Sequence, residues 1–177
     1  MNEDKLGMLS SKTKINGWIN FDKPAGISSA KALAVIRKKL NCSKIGHGGT
    51  LDPMASGVLP IAIGEATKTV SYVMDSKKKY ELTISWGYET TTDDKEGSPT
   101  RTSNKIPTKE DLDSCIPEFI GTIKQTPPDY SAVKIDGKRA YSIARYSEKR
   151  GIENQADLKS RDVNIHNLSL LSLSNNK

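Results

Sequence analysis

The fold and function of this chain depend on the segment Gly46–Pro60, whose sequence is GHGGTLDPMASGVLP. Three of its first four residues are glycines, which reach backbone conformations closed to other residues. His47 lies among them. Asp52 precedes Pro53, and a residue before proline is disfavoured in the helical region. The pattern indicates a loop that presents one carboxylate on a restricted, extended backbone.

Several kinds of site can be compared with this loop. It lacks the Gly-Lys-Ser/Thr ending of a phosphate-binding P-loop and the glycine spacing of a dinucleotide-binding turn. His47 and Asp52 are too few for a zinc site. Aspartate is also an ordinary helix cap and turn former, so a plain turn in which Asp52 caps the next helix stays open. The other interpretation is a metal-free carboxylate beside one flat aromatic ring, the imidazole of His47.

The loop resembles the signature of the bacterial tRNA pseudouridine-55 synthases, the TruB family. A second block, Gly17–Ser29, contains Asp-Lys-Pro-Ala-Gly-Ile-Ser-Ser and is similar to the family's N-terminal motif. Further blocks follow in the family's order, and the resemblance runs from about Ile15 to Leu173. These blocks are Gly64–Lys68, Lys79-Tyr80, Asp94-x-x-Gly97, Pro128–Lys134 and Gly137–Tyr141.

The resemblance implies an α/β (α+β) fold with a mixed, mostly antiparallel sheet flanked by helices. It implies the first part of the catalytic domain over 15–177 and an RNA-gripping hairpin and helix over about 124–152. The polar segment 1–14 before it is expected to be a flexible leader. The family continues with a Lys-Gly-Thr-Tyr-x-Arg segment, whose arginine pairs with the catalytic aspartate, and usually with a small RNA-binding domain. Neither has a counterpart here, so we expect a chain truncated before the end of the catalytic domain.

The implied reaction isomerises the uridine at tRNA position 55 to pseudouridine, without a cofactor or a metal. Asp52 is expected to act as nucleophile or base on a flipped-out uridine, with the T arm of tRNA as the partner. The alternative function is an inactive fragment that only binds or folds tRNA. The expected substrate-binding residues are His47, Tyr80, Lys23 and Asp94. The expected RNA-binding residues are Lys138, Arg139 and Arg145.

Some of these residues have a second interpretation. Lys23 either contacts phosphate or faces water, and the family implies that its turn supports the catalytic loop. Tyr80 either stacks on the base or ends the apolar face of a strand. Asp94 is either part of the family's acidic loop or a solvated aspartate. The basic helix after Gly137 either binds phosphates or is a solvated amphipathic helix.

Composition limits the class of protein. The chain has 177 residues, 35% of them hydrophobic, and a mean hydropathy of −0.55, as in a polar globular protein. Its longest apolar run, Val58–Ile63, is too short to cross a bilayer, and the leader has no signal-peptide core. Cys42 and Cys115 are too few for a disulfide framework. We therefore expect a cytoplasmic protein with reduced thiols. A monomer is expected as well.

Charge is unevenly distributed along the chain. The net charge is +6, but residues 81–120 carry four basic and nine acidic groups. The segments 1–40, 41–80 and 121–177 carry net charges of +5, +2 and +4. A polyanion is attracted by those flanks and repelled by the middle, so an RNA-binding face should come from the first 80 and last 57 residues.

Local patterns predict the main elements. Trp18 and Phe21 are expected in the core, and Pro60 is expected to place its strand at an edge or to interrupt it. Cys115 is expected to be buried. The predicted helices are Ser28 or Ser29 to Leu40, Glu65–Met74, a helix opened by Thr108-x-x-Asp111, and Lys138–Arg150. The predicted strands are Val58–Ile63, Tyr80–Trp86, Tyr130–Ile135 before a turn at Asp136-Gly137, and Asp162–Ser174.

Overall fold

The computed structural model describes residues 12–128, 134–135, 137–152 and 158–174. The chain divides between Tyr80 and Glu81 into two compact units. Both units combine helices with antiparallel strand pairs, so the predicted α/β class is confirmed. Within the described ranges, no helix is long and apolar enough to cross a membrane. The domain boundaries expected from the sequence stay a prediction.

The first unit is built on a three-stranded antiparallel sheet in the order β1-β3-β2. Its helices lie between the strands in sequence or follow the last one. The strands are β1 (Gly17–Lys23), β2 (Ile45–His47) and β3 (Gly57–Ile63). The helices are α1 (Ser29–Leu40), a 3-10 helix over Gly64–Thr69, and α2 (Val70–Met74). The predictions for α1 and for helix over Glu65–Met74 are confirmed.

Pro60 lies in the central strand β3, so its expected place at an edge is wrong. Asn20 pairs with Pro60 on one side, and the Gly48 N–H donates to the Pro60 carbonyl on the other at 2.9 Å. The N and C=O of one strand residue point to the same side, so the missing N–H of Pro60 also faces Gly48. Strand β2 ends at His47, one residue before Gly48. The proline therefore removes no bond from the ladder.

The core of this unit is formed by the inner face of β3 and by α1. Leu59 and Ile61 are fully buried. The remaining buried members of the cluster are Ala32, Cys42 and Ile63. Leu33, Ile36 and Leu40 pack against it from α1, as their helical spacing predicts.

Trp18 was expected in the core together with Phe21, and this is wrong for Trp18. Side chains alternate along a strand, so residues three apart face opposite sides. Phe21 and Ile19 pack on the core cluster, whereas Trp18 lies on the other face and is 41% exposed.

The described residues of the second unit form three two-stranded antiparallel sheets, two α-helices and one 3-10 helix. Two of these pairs, β4–β5 and β6–β9, were not predicted. The strands are β4 (Tyr88–Thr90), β5 (Pro99–Thr102), β6 (Gly121–Gln125), β7 (Lys134–Ile135), β8 (Lys138–Arg139) and β9 (Arg161–Ile165). The helices are α3 (Lys109–Cys115), a 3-10 helix over Ile116–Phe119, and α4 (Ala140–Arg150).

The predicted strand Tyr80–Trp86 is absent: this segment is neither strand nor helix. Tyr80, Leu82 and Ile84 are 70%, 66% and 52% exposed. Alternation produces a strand only where another strand supplies the ladder, and no described strand does so here. The predicted strand Asp162–Ser174 is likewise limited to β9, which pairs with β6.

Helix α3 begins as its sequence predicts. Thr108 accepts from the Asp111 N–H, and the Asp111 carboxylate accepts from the Thr108 N–H at 2.9 Å, which completes a capping box. The α-helix ends at Cys115 and continues as a 3-10 turn through Pro117, because proline cannot donate to the helical ladder. Cys115 is exposed, so its expected burial is wrong.

The hairpin and helix near the end of the chain are present. Lys134 pairs with Arg139 and Ile135 with Lys138 around a turn at Gly137, whose φ is +81°. The predicted helix Lys138–Arg150 starts two residues late, because Lys138 and Arg139 belong to strand β8. Its predicted stop at Gly151 is confirmed, with φ of +63°. The start of the predicted strand, residues 130–133, and Asp136 lie outside the described residues.

Candidate active site

The loop between β2 and β3 carries Asp52. It leaves the sheet at Gly48, which packs closely on helix α2. A Cβ at Gly48 would lie 2.7 Å from Cγ1 of Val73 and 3.1 Å from its Cβ. Only a residue without a side chain fits this approach, which explains one of the three glycines.

Asp52 begins a β-turn that returns the chain to β3. The Ala55 N–H donates to the Asp52 carbonyl at 3.1 Å, with Pro53 at the second position of the turn. Aspartate at the first position and proline at the second are the preferred residues of such a turn. A strand follows this turn, so the interpretation of Asp52 as the cap of the next helix is wrong.

The carboxylate of Asp52 is exposed. Within the described part of the chain, no donor or cation contacts it. An ionised carboxylate offers two acceptor oxygens, and neither is used by a residue that the structure describes. The loop therefore presents a free carboxylate to whatever binds at this surface.

Lys23 lies at the end of β1 and is fully buried. Its ammonium donates to the carbonyls of Ala55, Ile27 and Pro24 at 2.5, 2.9 and 3.0 Å. A lysine has three donor hydrogens, and all three are used. The expectation that Lys23 faces water or binds substrate is therefore wrong, because its charge is enclosed by the turn that it holds and by the Asp52 loop.

Two further contacts join the Asp22–Ser29 motif to the loop. The Gly26 N–H donates to the Pro53 carbonyl at 2.7 Å. The Ser29 hydroxyl accepts from the Leu51 N–H at 2.9 Å and donates to the Leu51 carbonyl at 2.8 Å. In the sequence Ser29 indicates only a possible helix cap, and neither the Ser29–Leu51 nor the Gly26–Pro53 contact is predicted. The available signal was the pair of adjacent serines before the helix. Because one serine is enough to cap a helix, the second is available for another contact.

His47 ends strand β2, five residues before Asp52, and pairs with Ile61. Its side chain is half-buried, and its Nδ1 is buried without a hydrogen-bond partner among the described residues. His47 therefore lies on the strand that leads into the loop carrying Asp52. Its role toward a substrate stays a prediction.

The other expected substrate contacts are Tyr80 and Asp94. Tyr80, at the end of the first unit, is 70% exposed and lies in an irregular segment. Asp94 belongs to the turn between β4 and β5, where its Oδ1 accepts from the Thr92 hydroxyl at 2.6 Å and from the Glu96 N–H at 2.8 Å. This carboxylate organises its own turn.

The expected RNA-binding residues lie on the hairpin and helix of the second unit. Lys138 and Arg139 form β8, and Arg145 lies in α4. The last turn of α4 exposes Lys149 and Arg150, and the Arg150 guanidinium lies 4.6 Å from the Tyr146 ring centroid. The described residues contain no group of three or more side chains arranged to hold a metal ion.

A family model described as TruB family pseudouridylate synthase (N terminal domain) matches residues 37–177. The chain belongs to the TruB family. TruB-family relatives named tRNA pseudouridine synthase B extend the similarity. The Brucella ovis protein is 49% identical over 157 residues, which are 89% of this chain and 47% of that protein. The Ehrlichia chaffeensis protein is 52% identical over 156 residues, which are 88% of this chain and 51% of that protein.

This TruB-family chain thus spans about half the length of the curated relatives it matches. Two solved structures are also similar in part. A Cbf5-Nop10-Gar1 complex contains a chain that is 35% identical to this one, with a TM-score of 0.45. The match covers 67% of this chain and 31% of that chain. An H/ACA RNP bound to a substrate RNA containing 2'-deoxyuridine contains one 33% identical, with a TM-score of 0.47 and coverages of 68% and 34%.

Proposed function

We propose that this chain carries the catalytic carboxylate of a tRNA pseudouridine synthase, which converts the T-loop uridine at tRNA position 55 to pseudouridine. The supporting observation is the Asp52 carboxylate, which is exposed, has no partner among the described residues and lies on a turn bound to the Asp22–Ser29 motif. Family membership and the names of the relatives give the reaction class. Because the chain spans about half of those relatives, the reaction of the whole protein is part of the proposal.

The reaction is an isomerisation. The N1–C1′ bond of the uridine breaks, the detached ring turns, and a C5–C1′ bond forms. The proton displaced from C5 is balanced by the proton that N1 gains, so no electrons enter or leave. Asp52 assists either as a nucleophile or as the base that starts the sequence; an aspartate can act covalently on a glycosidic bond.

The target uridine has to leave its stack to reach a carboxylate on a protein surface. Flipping a base costs a few kcal/mol, and protein groups that replace the lost stacking reduce this cost. We assign that role to the exposed ring of Tyr80, with His47 bracing the space that the base leaves. RNA is held mainly through phosphates and shape, for which Lys138, Arg139 and Arg145 are the candidate contacts and Asp94 a candidate substrate contact.

The experiment compares Asp52→Asn with the wild-type chain on a T-arm stem–loop RNA. Asp52→Asn should retain RNA binding and lose pseudouridine formation, since the amide keeps the shape but loses the charge. Asp75→Asn, an exposed aspartate after α2, is the matched control and should convert RNA at the wild-type rate. Pseudouridine mapping gives the rate. Conversion by Asp52→Asn at the wild-type rate would refute the assignment.

A second candidate function is tRNA binding without conversion. The net charge of +4 over residues 121–177 and the exposed cations of α4 favour it. It predicts steep salt dependence of RNA binding by a wild-type chain that forms no pseudouridine. The same mapping experiment decides between the two functions.

A further inference from the structure

Ser28 and Ser29, two neighbouring serines at the start of α1, form hydrogen bonds with different parts of the chain. The Ser28 hydroxyl accepts from the Lys31 N–H at 3.2 Å and caps the helix. The Ser29 hydroxyl is not used by the cap. It is buried, with 2% of the residue exposed, and forms both of its hydrogen bonds with Leu51, which lies 22 residues further along the chain.

The Ser29 hydroxyl takes the place of a strand partner for Leu51. It satisfies both the N–H and the C=O of one residue, as a neighbouring strand would in a hydrogen-bonded pair. The Leu51 carbonyl shares a planar peptide unit with the Asp52 nitrogen. Holding that carbonyl fixes the plane from which the Asp52 side chain departs. Pro53 restricts the other side of Asp52.

We infer that Ser29 is a positioning residue for Asp52: its hydroxyl sets the orientation of the Leu51–Asp52 peptide and through it the direction of the carboxylate. This inference rests on the proposed function in so far as the reaction reports the direction of Asp52. A misplacement of about 1 Å in a reacting group can lower a rate about 10²-fold. Loss of the hydroxyl should therefore lower the conversion rate far more than the affinity for RNA.

A purely structural serine would behave differently. Its loss would lower the stability of the fold and leave the folded protein with an unchanged rate. Ser28→Ala provides this comparison on the adjacent residue, because it removes a helix cap and leaves the Leu51 contacts in place.

The experiment uses Ser29→Ala, Ser28→Ala and Ser29→Thr, the last of which retains a hydroxyl. Two quantities are measured on each folded variant: hydrogen exchange at the Leu51 amide, and the single-turnover conversion of T-arm RNA at saturating protein. We expect Ser29→Ala to lose protection at Leu51 and to convert RNA about 10²-fold more slowly with an unchanged Kd. Ser28→Ala should match the wild type in both, and Ser29→Thr should recover most of the lost rate.

The two measurements separate the possible failures. Equal rates for Ser29→Ala and Ser28→Ala would overturn the positioning role. If the wild-type chain forms no pseudouridine, the proposed function fails, and unchanged Leu51 protection in Ser29→Ala would overturn the inference by itself. If Ser29→Ala does not fold, Ser29→Cys takes its place, because a thiol keeps the side-chain volume but is a weak donor and acceptor.

Discussion

The Gly26 N–H donates a 2.7 Å hydrogen bond to the carbonyl of Pro53, the residue after the proposed catalytic aspartate. Ser29 binds Leu51 on the other side of Asp52, and Lys23 binds Ala55 at the end of the turn. The Asp22–Ser29 motif and the Asp52 loop are therefore joined by backbone and side-chain hydrogen bonds. The first motif supports the backbone of the second, and these contacts do not use the Asp52 carboxylate.

Replacing Lys23 tests the support of this turn. Lys23→Met keeps the aliphatic stem and removes the donors for three carbonyls, two of them in its own turn and one in the Asp52 loop. Each unsatisfied buried group costs about 1–3 kcal/mol, and partial hydration of the carbonyls reduces the sum. We expect roughly 2–4 kcal/mol lower stability in urea unfolding. Lys31→Met, exposed on α1, should leave stability unchanged.

Gly48 tests the packing of the loop on α2. Gly48→Ala places a methyl group 2.7 Å from Val73 and should lower the free energy of unfolding by roughly 1–3 kcal/mol, since the stiff valine has to shift. Gly46→Ala is the control, because its Cβ would meet neighbours only at 3.9 Å or more. Val73→Ala in the Gly48→Ala background should restore part of the loss. Equal unfolding midpoints for the Gly46 and Gly48 variants would contradict this packing.

The capping box of α3 predicts a pH dependence. Hydrogen bonds from the Thr108 N–H and then its hydroxyl lower the pKa of the Asp111 carboxyl. A lowered pKa means that this contribution to stability is fully present above the unfolded value, about 3.9, and is lost as the pH falls through the lower folded value. Helicity of the wild type should therefore fall more steeply below about pH 4 than that of Asp111→Asn. Circular dichroism over an acid titration measures the difference, and parallel curves would exclude this contribution.

The basic end of α4 predicts how RNA binding responds to salt. Each phosphate contact adds about 0.7–0.9 to the slope of log affinity against log salt. If Lys149 and Arg150 meet phosphates, replacing both by glutamine should reduce the slope by about 1.4–1.8. Lys109→Gln, in the acidic part of the chain and ion-paired to Asp113, should leave it unchanged. Fluorescence anisotropy at several salt concentrations measures the slopes, and an unchanged slope in the double variant would place RNA elsewhere.

The sequence predicted those elements that are determined by interactions between residues close together in the chain. Helix α1 has a serine cap, an apolar face at helical spacing and three cations in its last turn, so its bounds followed from its own residues. Strand β2 has only three residues and exists because β3 lies beside it. Tyr80–Trp86 shows the reverse case: its alternation is that of a strand, but a described partner is lacking, and pairing cannot be read from one segment.

The same distinction holds for the site. The exposure of Asp52 on a non-helical turn followed from Pro53 and the glycines before it. The partners of Lys23 did not follow, because the carbonyl of Ala55 lies 32 residues away and a lysine in a tight turn looks solvated. The contact between Ser29 and Leu51 is likewise formed only when α1 packs beside the loop.

The two thiols differ in exposure, and this difference allows opening of the first unit to be measured. Cys42 is 3% exposed within the core cluster, whereas Cys115 is exposed at the end of α3. A maleimide dye will therefore attach to Cys115 in the native protein and reach Cys42 only when the core opens. Labelling of Cys42 is then delayed relative to Cys115. This delay measures how often the core beneath the sheet that carries the Asp52 loop opens.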